Sequence, residues 1–248
     1  VLILSPRHTP DDLALWAELE EVDRLGAGPA LDALADAAVA EVGRFRATGP
    51  CYCGVSWGKD SVTVAHLCLL ADPSIPLLHL RPTNHHPDSD AVRDAYFTAF
   101  PGQSYVEVLV DYGDLHARNL PPDTLDRETD RRWYAAIRQS ARPWDGRRVL
   151  GIRSEESTGR RLRTLRWGLS SPSGCAPIAR WRTRHVYAYL ASRGLPVHPA
   201  YACLGGGRWP REWLRVAELG DTRGAGGGRR EWELEYYPSE VRRLQRPH

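Results

Sequence analysis

The chain has 248 residues, 42% hydrophobic and 26% charged, with 33 basic and 31 acidic side chains and a net charge of +2. That length supports a sizeable core, and the ordinary composition excludes wholesale disorder. The near-zero net charge excludes a bulk polyanion binder, although charge can still be local.

The elements follow in chain order. Residues 11–25 carry Leu13, Trp16, Leu19, Val22 and Leu25 at helical spacing, with Thr9 as a cap and Pro10 at the first helical position. A second, Ala-rich helix runs from about Ala30 to Arg46 and ends at Thr48-Gly49-Pro50. Cys51–Val55 reads as a strand, 56–61 as a turn and Val62–Ala71 as a buried helix. Strands are then expected at Pro76–Leu80, Tyr105–Val110, Arg148–Ile152 and Cys175–Ile178. Helices are expected at Asp88–Phe100, 128–141 and Arg184–Ser192, the last starting at Thr183 and Asp88 capping its own helix. The segment 204–228 is glycine-rich and reads as loop.

Strands alternating with helices at this spacing imply an α/β fold: a Rossmann-like parallel five-stranded sheet with helices on both faces. The division expected is a helical cover at 1–48, a nucleotide-binding core at 49–201 and an Arg/Trp/Gly-rich extension at 202–248. No run of about 18 apolar residues is present, so no membrane span is expected, and Val1–Pro10 does not read as a signal peptide. Five scattered cysteines in a chain of this size read as reduced thiols in a cytoplasmic setting.

Of the 33 basic residues, 32 are Arg and one is Lys, Lys59. Codon bias accounts for most of the Arg excess. A lysine surviving that bias sits where a compact ammonium serves and a planar fork does not. Lys59 falls in Ser56-Trp57-Gly58-Lys59-Asp60-Ser61, between a strand and a helix. Small residues there let backbone N–H groups face an anion, the helix N-terminus adds a positive dipole end, and Lys59 adds a charge. The pattern is a phosphate cradle but not a Walker A loop.

This hexapeptide resembles the PP-loop of the adenine nucleotide α-hydrolases, whose commoner form has Gly where this chain has Trp57. Two further stretches resemble the phosphoadenosine phosphosulfate (PAPS) reductase branch of those proteins. One is Gly151-Ile152-Arg153-Ser154-Glu155-Glu156-Ser157 with Arg160. The other runs from Ala176-Pro177-Ile178 through Val186–Leu190 to Gly194–Tyr201. The resemblance spans roughly Gly49 to Tyr201. It implies that ATP (or PAPS) lies at the carboxyl edge of the sheet, with Mg²⁺ offsetting phosphate charge. Ser56, Trp57, Gly58, Lys59, Asp60, Ser61, Gly151, Arg153, Glu156 and Ser157 are then nucleotide-binding, with Thr83 and Asn84 holding the adenosine. Lys59, Asp60 and Arg153 are the catalytic candidates.

The reaction implied is adenylylation of an acceptor followed by sulfur transfer, as in DNA phosphorothioation-type relatives. One alternative is a phosphoadenosine or adenosine phosphosulfate reductase. Against it, the Glu-Cys-Gly tail of those enzymes has no counterpart after Cys203. The other is a nucleotide-binding module without turnover, with Trp57 as the supporting feature. Cys175 and Cys203 are candidate sulfur carriers, while Cys51, Cys53 and Cys68 read as core. No direct protein ligand to a metal and no iron–sulfur cluster are expected. Arg160, Arg208, Arg211, Arg215, Arg229 and Arg230 are candidate substrate contacts, since Arg and aromatics together can hold phosphates and stacked bases. The partners expected are an adenine nucleotide, a sulfur donor such as a cysteine desulfurase, a nucleic-acid substrate and a second copy of the chain, with no membrane.

Overall fold

A computed structural model of the chain describes residues 1–112, 115, 120–216, 219 and 229–244. Arg223 and Gly224–Gly228, part of the expected glycine-rich extension, lie outside these residues. Six strands form one sheet in the order β3-β2-β1-β4-β6-β5. They are β1 (Tyr52–Val55), β2 (Leu77–Pro82), β3 (Tyr105–Val110), β4 (Arg148–Leu150), β5 (Ser170–Ser171) and β6 (Gly174–Cys175). All pairings are parallel except β5 with β6. In register, Cys53 sits between Leu77 of β2 and Val149 of β4. From β1 the chain steps outward to β2 and β3, then returns to place β4 on the other side. The reversal of strand order therefore falls between β1 and β4, where α/β sheets open a crevice.

The expected α/β class holds, with a sixth strand. The two-residue β5 was missed because a Ser-Ser pair carries no alternation. β4 stops at Leu150, two residues short of the expected end, and β6 occupies Gly174–Cys175 rather than 175–178, because Ala179 N–H folds back onto the Ala176 carbonyl in a turn.

Helices α1 (Pro10–Leu25), α2 (Pro29–Ala47), α3 (Lys59–Ala71), α4 (Ser89–Ala99) and α7 (Thr183–Ser192) pack into one large apolar cluster. It includes Trp16, Val42, Leu67, Tyr96 and Tyr189. The Thr9 cap forms as expected: Thr9 Oγ1 accepts from Asp12 N at 3.1 Å, and the Asp12 carboxylate accepts from Thr9 N at 3.2 Å. Asp88 holds the cap position of α4, but its carboxylate makes no cap bond. It accepts instead from Arg7 at 2.9 Å and from Tyr237 Oη at 3.0 Å.

On the opposite face, α5 (Pro122–Ser140) covers the sheet more thinly. Two small clusters lie beneath it, around Tyr52 and Leu78 and around Val110 and Tyr112. α5 begins six residues before the expected start, with Pro122 at its first position. Helix α6 (Thr158–Trp167) had no periodic apolar signal and buries none of its residues. Beyond the segment expected as loop, α8 (Arg229–Tyr236) and α9 (Pro238–Leu244) are anchored by buried Trp232, Tyr237 and Val241. No helix among the described residues is long and apolar enough to cross a membrane.

Candidate nucleotide site

The turn after β1 leads directly into α3, which starts at Lys59, three residues earlier than expected. Gly58 takes the cap position without a side-chain cap, so the first N–H groups of α3 need outside partners. Lys59 N donates to Tyr201 Oη at 3.2 Å. Ser61 Oγ accepts from Ser56 N at 3.2 Å and donates to the Gly58 carbonyl at 3.0 Å, which closes the turn. A Cβ on Gly58 would approach Tyr201 Oη to 3.1 Å, so the residue type is set by close packing.

The Lys59 side chain is only 4% exposed. Its Nζ lies 2.8 Å from Asp60 Oδ2 and 5.1 Å above the Tyr201 ring. Burial works against the ammonium, but Tyr201 and Asp60 together hold it above the usual lysine range. Burial likewise disfavours the Asp60 carboxylate, yet Lys59 and Arg153 pull it below the usual range. Arg153 Nε donates to Asp60 Oδ1 at 2.5 Å, and its Nη1 donates both to Thr183 Oγ1 at 2.9 Å and to the Glu155 carboxylate. Lys59, Asp60 and Arg153 are thus one buried charge chain linking the ends of β1 and β4.

Gly151 explains how these ends approach each other. A Cβ there would sit 2.7 Å from the backbone carbonyl group of Asp60 and 3.0 Å from Ser61 N. Only glycine lets the segment after β4 lie against the first turn of α3. Past it, Glu156 accepts from Arg153 N at 2.9 Å and pairs with Arg160. Ser157 caps α6, accepting from Arg160 N at 3.2 Å.

These groups border a cavity of about 690 Å³ between the sheet and α5. Ser56, Gly58, Lys59, Asp60, Ser61 and Gly151 form its polar end, with Glu156, Arg160 and Arg215 at the side. Its apolar wall is made by Leu78, Leu80, Leu150 and Ile152 from the sheet side and Trp133 and Ile137 from α5. One polar end and one flat apolar wall suit a ligand with an anionic and an aromatic part. A second cleft of about 450 Å³ shares Lys59, Glu156 and Arg215 with it and contains Arg153.

Several expected residues lie elsewhere. Trp57 does not enter the cavity. Its indole is fully buried on the far side, with ring centroids 5.7–5.9 Å from Tyr96, Phe97 and Tyr105, and Nε1 donates to His79 Nδ1 at 3.3 Å. Its φ of 60° is a left-handed conformation that favours glycine, which is the commoner residue in such loops. The strain costs about 1–2 kcal/mol, and indole burial offsets it with roughly 4 kcal/mol or more. Thr83 and Asn84 do not line the cavity either. Thr83 Oγ1 accepts from Tyr112 N at 3.1 Å, tying the ends of β2 and β3, and Asn84 is buried.

Among the arginines of the C-terminal extension, Arg211 and Arg229 turn inward and Arg208 is paired at the surface. Arg211 forms a buried two-pronged pair with Asp23 at 2.6 and 2.7 Å and lies 4.1 Å over Tyr187. Arg229 pairs with Glu233 at 2.8 Å over Trp232, and Arg208 with Glu235 at 3.3 Å over Trp209. Arg230 is exposed. Only Arg160 and Arg215 of the expected substrate contacts reach the cavity. All five cysteines are buried. Burial pushes the Cys175 thiol up to about 12 and raises Cys203 further, and neither borders the cavity. The residues that sequence reading left without a role are Tyr201, Trp133, Ile137 and Thr183. Tyr201 ends one of the recognised stretches, which was a usable signal. The α5 pair had none.

Residues 50–204 match the phosphoadenosine phosphosulfate reductase domain. The adenosine 5'-phosphosulfate reductase of Streptomyces coelicolor is 30% identical over 227 residues, covering 81% of this chain and 89% of that protein. The phosphoadenosine 5'-phosphosulfate reductase of Xanthomonas axonopodis pv. citri is 22% identical over 193 residues, covering 73% and 75%. Among solved structures, the U34-tRNA thiolase NcsA from Methanococcus maripaludis with its 4Fe-4S cluster aligns with a TM-score of 0.44 and 11% identity, over 85% of this chain and 77% of that one. That likeness is too distant to carry a function. It does correct one expectation: the thiolase is described with a cluster, so cysteine spacing was no ground for excluding an iron–sulfur cluster. In this chain, no three His, Cys, Asp or Glu side chains converge on a metal position among the described residues.

Proposed function

Because the chain belongs to the phosphoadenosine phosphosulfate reductase domain family, we propose that it binds an adenine nucleotide across the carboxyl ends of β1, β2 and β4 and uses ATP to adenylylate an acceptor for sulfur transfer. The observation that carries this reading is the cavity itself. Its polar end joins the α3 N-terminus to the buried Lys59–Asp60–Arg153 chain, and its far wall is apolar and aromatic.

In this reading, residues 49–201 hold the nucleotide, with triphosphate at the Ser56–Ser61 turn and adenine against Leu80, Trp133 and Ile137. An acceptor oxygen attacks the α-phosphorus; the new P–O bond forms as the bond to pyrophosphate breaks. Lys59 and the helix dipole stabilise charge growing on the leaving pyrophosphate. Asp60 and Arg153 fix the ammonium in place rather than touch the reacting atoms. The outer sulfur of a persulfide donor such as a cysteine desulfurase then attacks the activated atom and displaces AMP. A second, external thiol cleaves the remaining S–S bond, leaving the sulfur on the acceptor and a disulfide on the donor side. A nucleic acid is the acceptor class this reading favours.

A second reading, reduction of a sulfonucleotide, is favoured by the names of the two relatives. It needs a thiol to attack sulfur, and the five cysteines are sealed in the core. The two readings separate in one experiment. Purified protein is given ATP, adenosine phosphosulfate or its 3'-phosphorylated form, and pyrophosphate and thioredoxin-dependent sulfite are measured. Acceptor-dependent pyrophosphate release that disappears in Lys59→Ala supports adenylylation. Sulfite release without pyrophosphate establishes the reductase instead.

A further inference from the structure

The second cleft shares its inner end with the nucleotide cavity, but its rim at Arg182 and Arg184 and the outer face of the neighbouring helix α6 form a surface to which the nucleotide reaction gives no role. We propose that this surface is the landing track of a single-stranded nucleic acid, with arginines on its phosphates and exposed indoles under its bases.

The cleft opens beside Lys59 and holds about 450 Å³. Its inner cations are already compensated, since Lys59 is paired with Asp60 and Arg153 with Asp60 and Glu155. Its rim is not. Arg182 and Arg184, at the start of α7, are exposed and make no ion pair among the described residues. Arg215 is also exposed and borders both cavities. A planar guanidinium with a free fork matches the geometry of a phosphodiester.

Helix α6 continues the same sign of charge. Its sequence TGRRLRTLRW carries four arginines and no acid. Its start is tied to the cleft through the turn that holds Glu155 and Glu156, two cleft residues. Arg161 and Arg166 are exposed without ion pairs among the described residues, in a protein whose total charge is only +2. An isolated helix of ten residues that buries nothing is a weak structural investment unless a partner covers it.

Two large indoles stand out beside these arginines. Trp213 is 65% exposed and lies between Glu212, a cleft residue, and Arg215 in the chain. Trp167, at the end of α6, is 47% exposed, with the Arg166 guanidinium 5.2 Å from its ring. Exposed indoles flanked by arginine are stacking platforms for unpaired bases, which a duplex does not offer. Of the tail arginines marked by sequence, Arg208, Arg211 and Arg229 are paired internally, so the track lies across α6, the α7 start and Arg215. A strand held there passes the Lys59 end of the nucleotide cavity. The acceptor role rests on the adenylylation reading; the binding does not.

The test is fluorescence anisotropy of labelled 20-nucleotide single strands and their duplex, with the full chain free of nucleotide, from about 50 to 200 mM salt. Single strands bind, and the duplex binds more weakly. The slope of log K against log salt falls by about 0.7 for each arginine removed in Arg182→Ala/Arg184→Ala. Trp213→Ala weakens binding about fivefold or more. Arg208→Ala, in the internally paired tail, changes neither. All these side chains are exposed, and unchanged melting curves verify that each variant is folded. No salt-dependent oligonucleotide binding, equal binding of the duplex, or an unaltered slope in the double variant overturns the proposal. So does displacement by polyglutamate at the same concentration as by oligonucleotide, which would mark an acidic protein partner. Oligonucleotide binding without pyrophosphate release keeps the track and removes the reaction; pyrophosphate release without oligonucleotide binding does the reverse.

Discussion

Gly151→Ala adds one methyl group, but at a point where backbone meets backbone. The new Cβ would lie 2.7 Å from the Asp60 carbonyl group and 3.0 Å from Ser61 N, where ordinary contact begins at 3.4 Å. No flexible side-chain end is available to yield, so the first turn of α3 or the end of β4 must move by about 0.7 Å, at a cost of roughly 1–3 kcal/mol. In a chain of this size, that lowers Tm by roughly 2–12 °C. The displaced turn carries Lys59 and Asp60. A shift approaching 1 Å at a reacting centre costs up to about 100-fold, so kcat/KM for pyrophosphate release should fall roughly 30- to 100-fold. The assay pairs thermal melting with nucleotide titration and pyrophosphate release. Gly43→Ala is the control: it lies within α2, its Cβ meets nothing within 4 Å, and it should stabilise by up to about 1 kcal/mol with unchanged kinetics. If Gly151→Ala binds nucleotide and turns over within about twofold of the parent, the close-approach argument for this glycine is refuted.

Lys59→Arg should abolish most turnover, by about 100-fold or more, because a guanidinium cannot replace an ammonium held between Asp60 and the Tyr201 ring; retained steady-state rates would sink that assignment. Arg211→Ala should destabilise by about 3–5 kcal/mol in urea unfolding, since it leaves Asp23 buried without its partner. Replacing both Arg211 and Asp23 by Leu should recover much of that loss, and a double variant as unstable as the single would argue against it. Stability should also rise with pH between about 4 and 6.5. His66 is buried, and desolvation, with help from Arg193, lowers its pKa to about 4 from the ordinary 6.5. The folded state therefore prefers neutral His66: its contribution is complete above 6.5 and is lost as pH falls toward 4, up to about 3 kcal/mol. Buried His198, lowered to about 3 by desolvation, acts in the same direction. Melting curves across that range test this, and His66→Gln should flatten the dependence; a wild-type Tm that is level from pH 4 to 6.5 would contradict it.

How much was legible in the sequence varies with the kind of signal. The Ser56–Ser61 turn was legible because a strand–turn–helix junction is local: small residues between a strand and a helix mark it within six positions. The Gly151-x-Arg153 segment was legible for the same reason. Thr83 and Asn84 were misplaced because following a strand says which edge a loop lies on, not which way its side chains face. The tail arginines were misread because a buried partner such as Asp23 lies 188 residues away from Arg211.

The sequence by itself determined the α/β alternation and the strand–turn–helix that carries the one lysine, since each depends on neighbours a few residues apart. Only the tertiary structure decided the rest. It turned Trp57 away from the cavity into an aromatic cage, set α5 as the apolar wall, sealed the cysteines and left Arg161, Arg166, Arg182 and Arg184 without ion pairs among the described residues. Those outcomes depend on which distant surfaces meet, and packing between elements, not local spacing, settles that.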